Sequence, residues 1–304
     1  MEYILKTKSL SKQYKDFKAL DKVCMNIPKG SIYGFVGKNG SGKTTLIRVI
    51  CGLQEPTDGE YEIYGIKNTD KTISKSRRRM GAVVETPAIY MDMTAEENLK
   101  QQYKIIGLPS FDGLFEILKL VGLENTGKKK AKNFSLGMRQ RLGIAIALVG
   151  SPDFLVLDEP VNGLDPQGII EIRELILKLN NEKNITVLIS SHILDELSKL
   201  ATYYGFIDNG KIIKEISAKE LDDVCRKCTR IKVTNIESLI YILDNMKIEY
   251  SIISDKVADI FGKVNISKLA FDLSKYNCEI ISVQEKDESL ESYYVDLIGG
   301  NGHD

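Results

Sequence analysis

The sequence predicts an α/β protein built on a parallel sheet, with a smaller α+β appendix behind it, and three observations carry that expectation. Short apolar runs at 31–36, 154–157 and 185–190 show little polar alternation, as strands do when both faces of a parallel sheet are covered. Stretches of helical character separate and follow them. Beyond about residue 225 the pattern changes to strand, helix, strand, strand, helix, strand and a last helix, an order that fits a small ferredoxin-like domain.

Taken in order, the chain opens with strands near 3–8 and 22–27, and Asp58-Gly59 before EYEIYG reads as a hairpin turn. Together they suggest an antiparallel edge. SIYGFVGKNGSGKTTLIRVICGL then reads as a buried strand from Ser31 to Val36, a glycine-rich turn from Gly37 to Gly42, and a helix opening at Lys43. Gly37, Gly42, Lys43 and Thr44 match G-x-x-x-x-G-K-[ST]. Glycine allows successive backbone N–H groups to converge on phosphate oxygens, and the helix N-terminus adds partial positive charge. Lys43 is expected to reach the β- and γ-phosphates and Thr44 to take a Mg²⁺ position, with Asn39, Gly40, Ser41 and Thr45 on the same nucleotide-facing surface.

FLVLDEP delivers two carboxylates at the end of a buried strand. Asp158 is placed to hold Mg²⁺ through water, and Glu159 to orient and deprotonate attacking water. Adjacent acids after a strand would ordinarily read as a solvated helix cap; the phosphate loop upstream changes that reading. NITVLISSHILDEL supplies a further buried strand ending at His192, one of only two histidines. Its distance from Glu159 and the SSH context point to contact with the γ-phosphate, whereas His303 lies in the polar tail. Residues 92–133 read as mainly helical, with Thr94 and Glu97 spaced for a capping box, and Asn209-Gly210 marks a hairpin near 205–213.

Composition narrows the class further. Lys and Arg total 42, as do Asp and Glu, so no basic excess points to nucleic acid as a partner. The longest apolar runs fall short of a bilayer span, and MEYILKTKSLSK alternates charge with apolar residues unlike a secretory signal. Five scattered cysteines suggest reduced thiols in the cytosol; Cys225 and Cys228 form one CxxC, with no second pair to complete a zinc site. Basic clusters at Arg77–Arg79 and Lys128–Lys132 read as solvated faces.

In order, GKNGSGKTT, GAVVETPAIY, FSLGMRQR, FLVLDEP, NGLDP and SSH resemble the motif series of an ABC-type ATPase, the nucleotide-binding subunit of ABC transporters. The resemblance covers roughly residues 1–220. It implies a RecA-like parallel-sheet core with an antiparallel β subdomain and a helical subdomain near 86–150, together a nucleotide-binding domain over 1–222, leaving 226–304 as the accessory ferredoxin-like domain. It also implies ATP and Mg²⁺ as cofactors. By resemblance, FSLGM is a signature loop whose Ser135 and Gly137 contact the γ-phosphate held by a second copy, in a head-to-tail homodimer. Tyr14 resembles the aromatic that stacks on adenine, and Asp165 the loop that communicates between the two sites. Separate membrane permease subunits would handle the substrate, with docking over Glu85–Asn98, and the chain would be cytoplasmic and peripheral on the inner membrane face.

Two departures qualify the likeness. Leu136 and Met138 replace the usual first glycine and glutamine of the signature, which bears on affinity for the opposite nucleotide. Glu85 stands where most members carry the glutamine that touches Mg²⁺ and attacking water, which groups it with Thr44 and Asp158 as a metal candidate. A carboxylate there adds negative charge near three phosphates, tolerable chiefly with the metal between them. The Glu85 context RRRMGAVVETPAIY, the FSLGMRQRLGIA run and the closing ESLESYYVDLIGG resemble the bacitracin and lantibiotic resistance branch, implying a peptide substrate. A ribosome-acting ABC protein would show two fused ATPase units, and a chromosome-maintenance ATPase a long heptad insertion. A nucleotide-gated switch without turnover conflicts with the intact Glu159 and His192.

Overall fold

The structure is a computed structural model and describes residues 2–225, 228–262, 264–286 and 290–299; His303 and part of the closing ESLESYYVDLIGG lie outside the described residues. The chain divides into two compact units, Met1–Ala218 and Lys219–Asp304, where the sequence suggested a division between 222 and 226.

In the first unit, β1 (Tyr3–Tyr14) and β2 (Phe17–Pro28) form a long hairpin in which Tyr14 faces Phe17. Both strands outrun the sequence expectation, because the polar hairpin end is exposed and lacks apolar alternation. β3 (Ile32–Val36) runs into α1 (Lys43–Ile50). β4 (Asp58–Ile63) then pairs with β1 and returns through Tyr64-Gly65 into β5 (Ile66–Lys67), giving the order β2-β1-β4-β5. Asp58-Gly59 is therefore not the hairpin turn. Gly59, at φ 79°, lies inside β4 beside the Ser9 carbonyl, where the β1–β4 register slips between Lys8 and Ser11. Left-handed glycine serves bulge neighbourhoods as well as turns, so the same residue pair announces either.

α2 (Ile73–Arg77) leads to β6 (Met80–Val83), followed by α3 (Ala95–Ile105), α4 (Leu114–Leu120) and α5 (Leu136–Leu148). Thr94 and Glu97 make the expected capping box, and the buried Asn98 bonds both the N–H and the carbonyl of Tyr90. Helix occupies less of 92–133 than expected, since turns fill 106–113 and 121–130. Arg77 and Arg79 are not a free basic face: Arg77 donates to Tyr61, and Arg79 covers the Tyr64 ring and pairs with Asp153.

β7 (Phe154–Asp158), α6 (Pro166–Lys183), β8 (Thr186–Ser191), α7 (Leu194–Ser198), β9 (Tyr203–Asp208) and β10 (Lys211–Ser217) complete the unit. The central sheet has the order β10-β9-β3-β8-β7-β6, parallel except for β10. Every residue of β3, β7 and β8 is buried, as their apolar runs predicted. Register places Val36 beside Ser191, Asp158 beside Ser190, and Val83 beside Leu157. The loops carrying Gly37, Glu85, Glu159 and His192 thus leave one sheet edge, the carboxyl edge where α/β sheets hold ligands. Glu215 on β10 fastens both sheets of this unit, accepting from the Asn26 N–H on β2 at 2.9 Å and the Tyr33 hydroxyl on β3 at 2.7 Å.

The second unit begins in α8 (Ala218–Val224), then β11 (Cys228–Val233), α9 (Ile236–Met246), β12 (Glu249–Ser254), β13 (Val257–Phe261), α10 (Ile266–Ser274), β14 (Ile280–Lys286) and α11 (Leu290–Gly299). Its antiparallel order β12-β13-β11-β14 is that of a ferredoxin-like sheet. Leu239 and Leu243 of α9 and Leu269 and Leu273 of α10 share a core with Ile231, Val233, Ala258 and Ile260 of the strands. Asn235 and Asn265 cap those helices. Among the described residues no helix is long and apolar enough to cross a membrane.

Candidate functional site

The phosphate loop is built so that two of its glycines admit no side chain. A Cβ on Gly37 would lie 2.4 Å from Ser41 Oγ, and Gly42, at φ 111°, would drive one to 2.6 Å from the Ala19 carbonyl. Asn39 and Gly40 are exposed, with nothing within 4 Å of a Cβ on Gly40, so the outer rim has room for a ligand. α1 starts without a side-chain cap and without an acid in its first turn, leaving its N-terminal N–H groups for an anion. Ser41 is 4% exposed and its hydroxyl has no hydrogen-bond partner among the described residues. An orphaned buried polar group of that kind costs about 1–3 kcal/mol, a cost a phosphate oxygen relieves. The loop therefore fits a nucleotide phosphate by its own unsatisfied chemistry.

Lys43 is buried, and its ammonium donates to the Gly37 carbonyl at 2.6 Å and the Lys38 carbonyl at 3.3 Å. It also lies 3.3 Å from Glu159 Oε1. The other carboxylate oxygen of Glu159 is 2.7 Å from His192 Nδ1. One acid thus occupies both groups that the sequence directs to the terminal phosphate. Glu159 holds a left-handed φ of 51°, steadied by its N–H donating to Ser190 Oγ at 3.0 Å. The Ser190 hydroxyl in turn donates to Asp158 Oδ1 at 2.6 Å. Sequence reasoning missed Ser190, although the SSH run contains it.

Thr44 and Asp158 are the groups that could hold Mg²⁺. Asp158 is 1% exposed with one oxygen engaged by Ser190, while Thr44 is half-buried in the first turn of α1. Among the described residues there is no cluster of three or more His, Cys, Asp or Glu placed to hold a metal. Glu85 meets Arg48, not a phosphate-loop residue: Arg48 Nη2 is 2.6 Å from Glu85 Oε1. Cys51, at the end of α1, is half-buried against the apolar core, and that desolvation pushes its thiol up to about 12, which keeps it protonated.

Ser135, Gly137 and Asp165 form a second group. Exposed Ser135 caps α5, its hydroxyl accepting the Met138 N–H at 3.2 Å, and exposed Asp165 caps α6 by accepting from Gly168 at 3.0 Å. Gly137 faces Leu164, which would stand 3.8 Å from a Cβ there, so the two caps belong to adjoining loops. Tyr14 lies near the end of the β1–β2 hairpin, 39% exposed, with its hydroxyl bonded to Gln54 and the Lys12 ammonium 5.3 Å from its ring centre. An exposed aromatic face anchored at its polar tip suits stacking on a base.

The chain is similar to known proteins in sequence and fold. The ABC transporter family profile matches residues 20–162. The bacitracin transport ATP-binding protein BcrA of Bacillus licheniformis is 41% identical over 303 residues, covering 99% of each chain. The lantibiotic transport ATP-binding protein SrtF of Streptococcus pyogenes is 43% identical over 219 residues, covering 72% of this chain and 92% of its own. A solved dimeric ATP-binding cassette in a post-hydrolysis state, bound to ADP and phosphate, is 29% identical with a TM-score of 0.64, covering 70% of this chain and 98% of that one.

Proposed function

Since the chain belongs to the ABC transporter family as an ATP-binding and ATP-hydrolysing subunit, we propose that it powers export or removal of antimicrobial peptides of the bacitracin or lantibiotic type. The observation that carries the substrate class is the extent of the likeness: similarity to a bacitracin transport ATP-binding protein runs through 99% of both chains, the second unit included. The peptide itself is handled by membrane permease subunits, with this chain peripheral on the inner face of the membrane. The loop and helix from Glu85 to Asn98, where Tyr90 and Met91 are 51% and 42% exposed, offer the apolar surface for docking.

The geometry of the site supports an order for turnover. Lys43 and His192 exchange the Glu159 carboxylate for phosphate oxygens, and Ser41 gains the partner it lacks. Glu159, released from both, accepts a proton from the attacking water. Thr44 and Asp158 would hold Mg²⁺, whose positive charge would stabilise the phosphoryl oxygens. Lys43 and the α1 N-terminus answer the charge that develops as the bond to the leaving phosphate breaks. Ser135 and Gly137 of a second copy close over the same phosphate, and Asp165 joins the two sites. Two copies therefore clamp two nucleotides, and hydrolysis reopens them.

Growth of a peptide-sensitive bacterium in bacitracin and in lantibiotics, with wild type or Glu159→Gln beside the native permease, tests the substrate class. Protection by wild type and its loss in the variant is the expected result. A wild type that hydrolyses ATP yet protects against neither peptide overturns the substrate class and leaves the ATPase assignment standing.

A further inference from the structure

The carboxylate at position 85 poses a charge problem at a phosphate site, and the structure answers it with a side chain from the phosphate-binding helix. We propose that Arg48 is a positioning residue for Glu85: their ion pair holds the loop after β6 against α1 and balances the Glu85 charge close to the nucleotide.

The argument begins with placement. Arg48 follows Thr44 by four residues, so the two share a face of α1, about 6 Å apart along its axis. An ion pair at Arg48 therefore lies one helical turn from the proposed metal-binding hydroxyl. The 2.6 Å contact joins residues 37 positions apart in sequence. With the side chains 36% and 54% exposed, a pair of this kind adds little to folding. Its consequence is geometric.

The loop is held from a second side too. Two residues beyond Glu85, Pro87 packs on Gly143 of α5 so closely that a Cβ on Gly143 would fall 2.5 Å from the Pro87 Cβ. Glu85 itself has a φ of 60°, a left-handed conformation unfavourable for an L-residue other than glycine. The Arg48 pair at Glu85 and the Pro87 packing two residues on hold it there. Through this loop, α1, which cradles one phosphate, is registered against α5, whose N-terminus carries Ser135. A glutamine at position 85 could still accept a hydrogen bond from Arg48 but would present no charge for it to balance, so the arginine matters most when position 85 is a carboxylate.

The proposal rests on the nucleotide-site reading above, which ATP turnover by wild type and its loss in Glu159→Gln check independently of position 48. The direct test is hydrogen–deuterium exchange of residues 84–90 in the nucleotide-free full chain, for wild type, Arg48→Gln, Glu85→Gln, the double variant and Arg48→Lys. Each single neutral variant should speed exchange in the loop by about 5-fold, and the double variant no more than either alone, as for two ends of one interaction. Arg48→Lys, which keeps the cation, should retain most of the protection. ATPase assays should show the same pattern: Arg48→Gln lowers kcat by about 5-fold with glutamate at position 85 and by less than about 2-fold with glutamine there. Unchanged exchange in Arg48→Gln, or single-variant effects that add in the double variant, would overturn the proposal.

Discussion

Two helices of this protein are the ones proposed above to meet nucleotide phosphates, and their N-termini are built in opposite ways. α1 begins on a buried glycine, uncapped, with a nearly buried lysine and an orphaned serine hydroxyl beside it. α5 begins on an exposed serine whose hydroxyl already accepts one of its own N–H groups. The first end has no side-chain cap; the second is capped by its own serine. Among the described residues, no hydrogen bond or ion pair connects Ser135 or Asp165 with Lys43, Glu159 or His192, whose mutual contacts span 3.3 Å or less. On the proposed reading, the chemistry of one site is assembled by burial within a chain, and its closing surface comes from another copy.

Glu159→Gln should produce the largest effect on the buried side of that comparison. Loss of the general base lowers ATP turnover by about 10²–10⁴-fold. ATP binding persists, because Lys43 loses a competing carboxylate; sedimentation with ATP should show an accumulated dimer. Turnover close to wild type would break the assignment of Glu159. Smaller in effect, Glu215→Ala separates scaffold from chemistry. It leaves the Tyr33 hydroxyl and the Asn26 N–H without their acceptor and should lower stability by about 1–3 kcal/mol in urea unfolding. An unchanged midpoint would show that the two sheets are fastened elsewhere.

The smallest expected effect concerns pH. Burial, with the Glu215 carboxylate beside it, holds the Tyr33 phenol well above its ordinary range. The folded state then keeps a proton that the unfolded chain releases, so this stability is whole below about pH 10 and falls as pH rises beyond it. Tyr33→Phe should make the alkaline loss of stability shallower. A slope identical to wild type would remove Tyr33 from the account.

Much of the site could be read from the sequence because its parts are local. The phosphate loop, the acids ending β7, and the Thr94–Glu97 cap each depend on spacing within a few residues, and burial on both faces stamps β3, β7 and β8 with unbroken apolar runs. What escaped was either ambiguous or long-range. Gly59 carries the same left-handed signal whether it makes a turn or sits beside a bulge, and only the pairing partner decides. Arg77 and Arg79 read as solvated because their aromatic and acidic partners, Tyr61, Tyr64 and Asp153, stand well apart in sequence. Glu85 appeared as a metal candidate facing phosphates; its ion pair with Arg48 needed the fold, although the four-residue step from Thr44 to Arg48 was open to inspection. Ser190 lay in plain view in SSH, but its bonds to Asp158 and Glu159 follow from strand register.

The most direct test of a site shared between copies is to mix two inactive chains, Lys43→Ala and Ser135→Arg, and measure ATP hydrolysis. The first keeps its signature surface, the second its phosphate loop. Half the dimers in an equal mixture would join one of each and contain one intact site of two, so about a quarter of wild-type turnover should return. Each variant alone should stay inactive. A mixture as inactive as its components, with heterodimers demonstrated by cross-linking, would contradict the shared site, as would full activity of Ser135→Arg by itself.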